Sequence, residues 1–319
     1  MYRLATLRER LAAIRQELRD EYLQPHGKPW VVGFSAGKDS TLVLQLVLET
    51  LLSIPPDRRT RPVHVLSNDT LVESPIYQSW IDKCLDRVRE GVKALRLPVS
   101  VVKTHPEDDA TFWVNLLGRG YPAPNRNFRW CTDRMKIQPT TKFIRDRVAE
   151  SGEVILILGV RRAESAARAG RINAYDQKGG NGRLNAHNDV RGCFVFRPIV
   201  ALSDEDVWQV LLSSRPPWGG SHRDLVTLYR NAKGGECPFV VGPDDAPSCG
   251  TTSARLGWTD SIPLEKGDAP PWHGLLGHEI SIRVPATRFL QRADKVARTP
   301  QRLRRSKQES PNDTGRLAA

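Results

Sequence analysis

Six consecutive residues, Ser35-Ala36-Gly37-Lys38-Asp39-Ser40, bring together two hydroxyls, a lysine, an aspartate and two small residues, directly after the apolar run Trp30-Val31-Val32-Gly33-Phe34. Small residues at a strand-to-helix turn free backbone N–H groups. The positive end of the helix dipole lies behind them, so such a turn cradles phosphate oxygens. Lys38 adds a full positive charge. A Walker A loop is excluded, because that pattern places Ser or Thr after its lysine and four residues between its glycines. Here Asp39 follows Lys38, and Gly33 and Gly37 enclose three residues. Ala36 stands at the middle of the turn, where a positive φ would suit glycine better than alanine.

Two further groups carry chemistry. Asp69, in Asn68-Asp69-Thr70, is a candidate contact for magnesium or a ribose, and Gly159, Arg161, Arg162 and Arg168 form a second set. The planar guanidinium donors match pairs of phosphate oxygens. Five cysteines, Cys84, Cys131, Cys193, Cys237 and Cys249, are an odd number scattered over a long chain, which argues against a disulfide framework and leaves metal or sulfur chemistry open.

The elements that must position these groups alternate in type. The spacing of Leu4, Leu7, Leu11, Ile14 and Leu18 predicts an amphipathic helix over residues 3–22. Strands are expected at 30–34, 62–67, 99–103 and 154–158, and helices at 41–52, 76–95 and 142–149. Strands alternating with helices argue for an α/β fold with a doubly wound, mostly parallel sheet covered on both faces. In such sheets ligands bind beyond the carboxyl ends of the strands, where all three groups of residues fall. Residues 171–192, rich in Gly, Asn and Arg, read as a mobile loop or lid. After them, Ser203 can cap a helix whose first turn holds Asp204, Glu205 and Asp206.

At 319 residues the chain can bury a substantial core, and no apolar run approaches the ~20 residues of a membrane span. The first residues lack the apolar core of a signal peptide, so a cytoplasmic location without membrane association is expected. Lys and Arg number 48 against 36 Asp and Glu, a net charge of +12 that suits a polyanionic partner. Between Arg283 and Lys307 nine basic residues accompany one acid, Asp294; this stretch reads equally as a DNA contact or as a solvated tail.

The Ser-x-Gly-Lys-Asp-Ser turn resembles the PP-loop of ATP pyrophosphatases, with Ala36 in place of the family's middle glycine. Longer blocks narrow the resemblance to the DndC family of sulfurtransferases of bacterial DNA phosphorothioation, itself related to phosphoadenosine phosphosulfate (PAPS) reductases. They are residues 30–40, 67–73, 111–115, 120–124, 128–134 and 162–168, followed by Pro217-Trp218-Gly219, Gly235-Glu236-Cys237-Pro238 and Pro247-Ser248-Cys249-Gly250. The resemblance covers roughly residues 5–252.

That resemblance implies an adenine nucleotide alpha hydrolase-like fold with a helical, cysteine-containing C-terminal extension. It divides the chain into an N-terminal helix (1–28), a nucleotide domain (29–215), a cysteine-containing segment (216–252) and a divergent basic tail, poorly ordered, at 253–319. It implies ATP and Mg2+ as cofactors, bound by Ser35, Ala36, Gly37, Lys38, Asp39, Ser40, Asp69, Gly159, Arg161 and Arg162, with Ser35, Lys38 and Asp39 catalytic. It also implies an iron–sulfur cluster held by Cys131, Cys237 and Cys249, and as partners DNA, a cysteine desulfurase that donates sulfur, and other DNA phosphorothioation proteins. The family's Gly-Cys-Trp-x-Cys element is missing, since no cysteine follows Cys249. Cys84 and Cys193 fall outside the matching blocks and read as plain buried residues. The expected activity is adenylation of a DNA phosphate oxygen for replacement by sulfur. The alternatives are a PAPS or adenosine phosphosulfate reductase, a catalytically weak nucleotide-binding scaffold subunit of a DNA-modification complex, and a tRNA thiolation enzyme.

Overall fold

The computed structural model describes residues 6–125, 128–164, 169–170, 172–173 and 183–231, all within one compact unit of the chain. A six-stranded sheet carries the order β3-β2-β1-β4-β6-β5. Its strands are β1 (Trp30–Gly33), β2 (Val63–Asn68), β3 (Val99–Thr104), β4 (Val154–Ile157), β5 (Leu184–Ala186) and β6 (Cys193–Phe196). Every pairing is parallel except β5 with β6. The central strands β1 and β4 are continuous apolar runs because both of their faces are covered.

Helices α1 (Leu7–Tyr22), α2 (Lys38–Ser53), α3 (Pro75–Ala94) and α5 (Asp204–Ser213) bury Leu18, Leu42, Leu46, Leu85 and Val207 in one core with Val32 and Val65 of the sheet. The opposite face is covered by α4 (Gln138–Ser151), whose Ile144 packs with Val31, Leu66 and Leu156. The chain moves outward from β1 through β2 to β3, then returns across the sheet to β4. That reversal opens a crevice between the carboxyl ends of β1 and β4, the topological switch point of a doubly wound sheet. No described helix is long and apolar enough to cross a membrane.

Two expectations are corrected. The stretch 171–192 is not wholly a loop, since Leu184–Ala186 forms the edge strand β5, and the next residues, Cys193–Phe196, form the inner strand β6. Leu184-Asn185-Ala186 is too short for its alternation to announce a strand; the ladder to β6 holds it in place. Helix α2 begins at Lys38, three residues earlier than its apolar spacing suggested, so Lys38, Asp39 and Ser40 lie in its first turn. Gly37 is its N-cap and supplies no side-chain hydrogen bond, which removed the usual start signal.

Candidate active site

The chain leaves β1 with the Phe34 N–H donating to the Leu66 carbonyl (2.8 Å), then folds back on itself. The Ser35 N–H donates to Ser40 Oγ (3.2 Å), Ser40 Oγ donates to the Gly37 carbonyl (3.0 Å), and the two serine hydroxyl oxygens are 3.2 Å apart. From α3, the Tyr77 hydroxyl donates to the Ser35 carbonyl (2.7 Å) and Trp80 Nε1 donates to the Ala36 carbonyl (3.2 Å). A trans peptide holds its C=O and N–H on opposite sides, so drawing these carbonyls toward α3 turns the Ala36 and Gly37 amides away from it. Ala36 has φ 55°, the left-handed conformation that alanine adopts only under strain. The first-turn N–H groups of α2 have no intrahelical acceptors, and the positive end of its dipole adds to them.

Behind this turn lies a network of four charged side chains. Lys38 Nζ is 3.2 Å from Asp39 Oδ2 and 3.1 Å from Asp204 Oδ1. Arg161 Nε is 2.7 Å from Asp39 Oδ1, and Arg161 Nη2 is 2.8 Å from Asp204 Oδ1. Arg161 Nη1 donates to the Leu202 carbonyl (3.4 Å), and its side chain is 1% exposed. Burial pushes the Asp204 carboxyl upward, but hydrogen bonds from Lys38 and Arg161 outweigh it and hold the group below the usual carboxylate range. Gly159 brings the β4 exit against this turn: a Cβ there would lie 2.9 Å from the carbonyl carbon and oxygen of Asp39 and 3.0 Å from the Ser40 nitrogen.

Ser35 to Ser40, Gly159 and Arg161 therefore meet at the switch-point crevice. Arg161, read from sequence as a phosphate ligand, has a buried guanidinium engaged by Asp39 and Asp204. Arg162 is exposed and its N–H donates to the Val200 carbonyl (3.0 Å), while Arg168 lies outside the described residues. Asp69 stands at the end of β2 with Oδ2 3.0 Å from Lys103 Nζ and Oδ1 accepting from the Leu71 N–H (2.9 Å). Lys103 in turn reaches Asp82 (2.8 Å), so Asp69 is braced toward β3 and α3.

Cys131 packs at the edge of a cluster of Phe112, Trp130 and Met135; Cys237 and Cys249 lie outside the described residues. Among the described residues no group of three His, Cys, Asp or Glu side chains could hold a metal. Cys84 and Cys193 are protonated at neutral pH, burial pushing them up to about 12 and about 11.

Sequence reasoning missed Tyr77, Trp80, Asp204 and Tyr229 as site residues. Tyr229 lies on α6 (Arg223–Asn231), and its hydroxyl accepts from the Lys38 N–H (3.0 Å). Asp204 was legible only as a first-turn acid of α5, behind the capping box of Ser203 and Asp206. Nothing local to Tyr229 marks a contact with a residue 191 positions away.

Comparison with known proteins gives a relative in Methanocaldococcus jannaschii, the uncharacterized protein MJ0066, 28% identical over 192 residues. The match spans 60% of this chain but only about one third (33%) of the archaeal protein. Among solved structures, the U34-tRNA thiolase NcsA of Methanococcus maripaludis, determined with its [4Fe-4S] cluster, aligns with TM-score 0.42 and 13% identity over 78% of this chain and 77% of that one. The PAPS reductase of Candida auris aligns with TM-score 0.38 and 13% identity over 65% and 86%. The model of the phosphoadenosine phosphosulfate reductase domain matches residues 29–218, more than half of the chain and all of the sheet, and the chain belongs to that family.

Proposed function

We propose that the chain is an ATP pyrophosphatase that activates an oxygen for replacement by sulfur, with a DNA backbone phosphate as the acceptor. One observation carries this reading: the Ser35–Ser40 turn closes on the N-terminus of α2, whose Gly37 N-cap supplies no side-chain hydrogen bond, at the β1/β4 switch point, with Lys38 in the first turn. That arrangement suits a chain of phosphates. The acceptor oxygen attacks the α-phosphorus, the bond to the α–β bridging oxygen breaks, and pyrophosphate leaves. The terminal sulfur of the donor persulfide then attacks the DNA phosphorus and the adenylated oxygen leaves with AMP; a dithiol cleaves the resulting S–S bond, supplying two electrons and freeing the phosphorothioate and the donor thiol. Lys38 and the amides stabilise negative charge building on the departing pyrophosphate. The DNA acceptor rests on the DndC-like blocks and on the +12 charge.

Magnesium is commonly held by one or two carboxylates together with substrate phosphates; Asp39 is the carboxylate of the turn, but Arg161 and Lys38 engage both of its oxygens, so no step is routed through the metal. An iron–sulfur cluster needs several converging thiolates. Cys131 alone of the three candidates is described, so no step is routed through a cluster.

The family match favours a second reading, reduction of a sulfated nucleotide. That reaction needs a nucleophilic thiolate; burial keeps Cys84 and Cys193 protonated, which leaves Cys131, Cys237 and Cys249 as the cysteines that could supply it. The two readings separate in one experiment. Purified protein is given a dithiol reductant in both arms, with ATP, Mg2+, DNA and a sulfur-loaded desulfurase in one and PAPS or adenosine phosphosulfate in the other. Pyrophosphate release with DNA-bound phosphorothioate supports the first reading; sulfite release without pyrophosphate replaces it with the second.

A further inference from the structure

The donors that would grip a phosphate chain are already occupied from within the protein. The Lys38 N–H donates to the Tyr229 hydroxyl (3.0 Å), and Lys38 Nζ lies 5.6 Å from the centre of the Tyr229 ring. A single carboxylate oxygen of Asp204 takes up Lys38 Nζ (3.1 Å) and Arg161 Nη2 (2.8 Å). A hydroxyl oxygen on a helix-terminal amide and a carboxylate between two cations are the contacts phosphate oxygens would make. We infer that Tyr229 sets the affinity of the site for phosphorylated ligands by occupying the Lys38 amide, so that ligand entry must displace its hydroxyl; this rests on the nucleotide-binding reading above.

The fold makes that displacement local. The segment leading to α6 is fixed: Trp218 lies so close to α3 that a Cβ on Gly91 would be 2.5 Å from its Cα, and Gln45 of α2 bonds both Ser214 Oγ (2.9 Å) and His222 Nε2 (2.8 Å). Leu225 is buried in the main core. Tyr229 sits one turn beyond Leu225, in the last turn of α6, packed edge-on against Trp208 at 4.9 Å between ring centres. A change of the Tyr229 rotamer, or fraying of that last turn, releases the amide without moving the anchored segment. The contact on the Lys38 amide is a neutral hydrogen bond, weaker than the charge-assisted one a phosphate oxygen would make in its place. A multivalent phosphate chain competes with it better than a single phosphate does.

The test measures binding of Mg-ATP and of inorganic pyrophosphate to the full chain, to Tyr229→Phe and to Lys38→Ala. Removing the hydroxyl frees the amide, so Tyr229→Phe binds both ligands about two- to tenfold more tightly, the range expected for one hydrogen bond. Equal or weaker binding by Tyr229→Phe, while the wild type binds and Lys38→Ala does not, overturns the role of Tyr229 and leaves the site reading intact. Wild type and Lys38→Ala binding alike would instead sink the site reading and this inference with it. Amide hydrogen exchange on the wild type gives an independent readout: saturating Mg-ATP accelerates exchange in residues 226–231, and slowed or unchanged exchange contradicts the inference.

Discussion

Arg161 at the exit of β4 and Asp39 in the first turn of α2 form an ion pair of 2.7 Å, with the arginine side chain 1% exposed. This pair joins the two sides of the switch point. Its removal leaves Asp39 and Asp204 sharing the single charge of Lys38. Arg161→Leu should therefore lower stability by about 3 kcal/mol, the low end for a broken buried pair because Asp204 is half exposed and can rehydrate. Urea unfolding checks this as a shifted midpoint at unchanged slope. Arg161→Lys should rescue little, since a compact ammonium does not reproduce the rigid fork that reaches Asp39, Asp204 and the Leu202 carbonyl through three separate nitrogens.

Gly159 is required by contact rather than by backbone conformation. A methyl there meets the Asp39 carbonyl at 2.9 Å, and backbone atoms in a helix's first turn cannot step aside. Gly159→Ala should cost about 1–3 kcal/mol by overpacking and loosen ligand binding at the turn. Thermal denaturation with a parallel ATP titration measures both effects.

Ala36 tests how much strain the loop stores. The left-handed conformation costs alanine about 1–2 kcal/mol, but glycine would lose about 0.4–1 kcal/mol through a freer unfolded chain and forfeit burial of a methyl worth about 0.8 kcal/mol. These nearly cancel, so Ala36→Gly should stay within about 1 kcal/mol of the parent. Ala36→Val should be clearly destabilising, because a β-branched residue resists φ 55° in a fully buried position. Equilibrium unfolding of the two variants separates the effects.

Acid should weaken the network that frames the site. Asp206 is held low by its paired hydrogen bonds from Arg10 (2.7 Å each), and Asp204 by Lys38 and Arg161 against the pull of burial. Groups with depressed folded pKa values contribute stability that is complete above the unfolded carboxylate value of about 4 and is lost as pH falls through the folded values. The melting temperature should be flat near neutrality and fall below about pH 4, with Asp206→Asn reducing the fall.

Cysteine labelling tests whether Cys84 or Cys193 could serve as a nucleophile. A thiol ionising near 11 is thiolate in about one part in ten thousand at pH 7, so Cys84 and Cys193 should resist iodoacetamide in the native protein and react after denaturation. Peptide mass spectrometry reads the modification at each position.

Much of this was legible in the sequence. The apolar runs of β1 and β4 and the Leu11, Ile14, Leu18 stripe of α1 follow directly from burial on both faces of a sheet or on one face of a helix. The turn at Ser35–Ser40 was legible because its chemistry is local. What escaped depends on contacts between distant residues: a three-residue edge strand held by its neighbour's backbone, an arginine that braces an aspartate rather than meeting solvent, and a tyrosine that caps α2 from α6. Residue type and spacing carry no information about which far segment returns to the site.

The most direct measurement is calorimetric titration of Mg-ATP into the wild-type chain and into Lys38→Ala. Saturable binding at one site, weakened about ten- to a hundredfold by loss of the lysine's charged hydrogen bonds, is the expected result. Absence of binding to the wild type, or equal affinity in both proteins, would contradict the assignment of the β1–α2 turn as the grip on the nucleotide's phosphates.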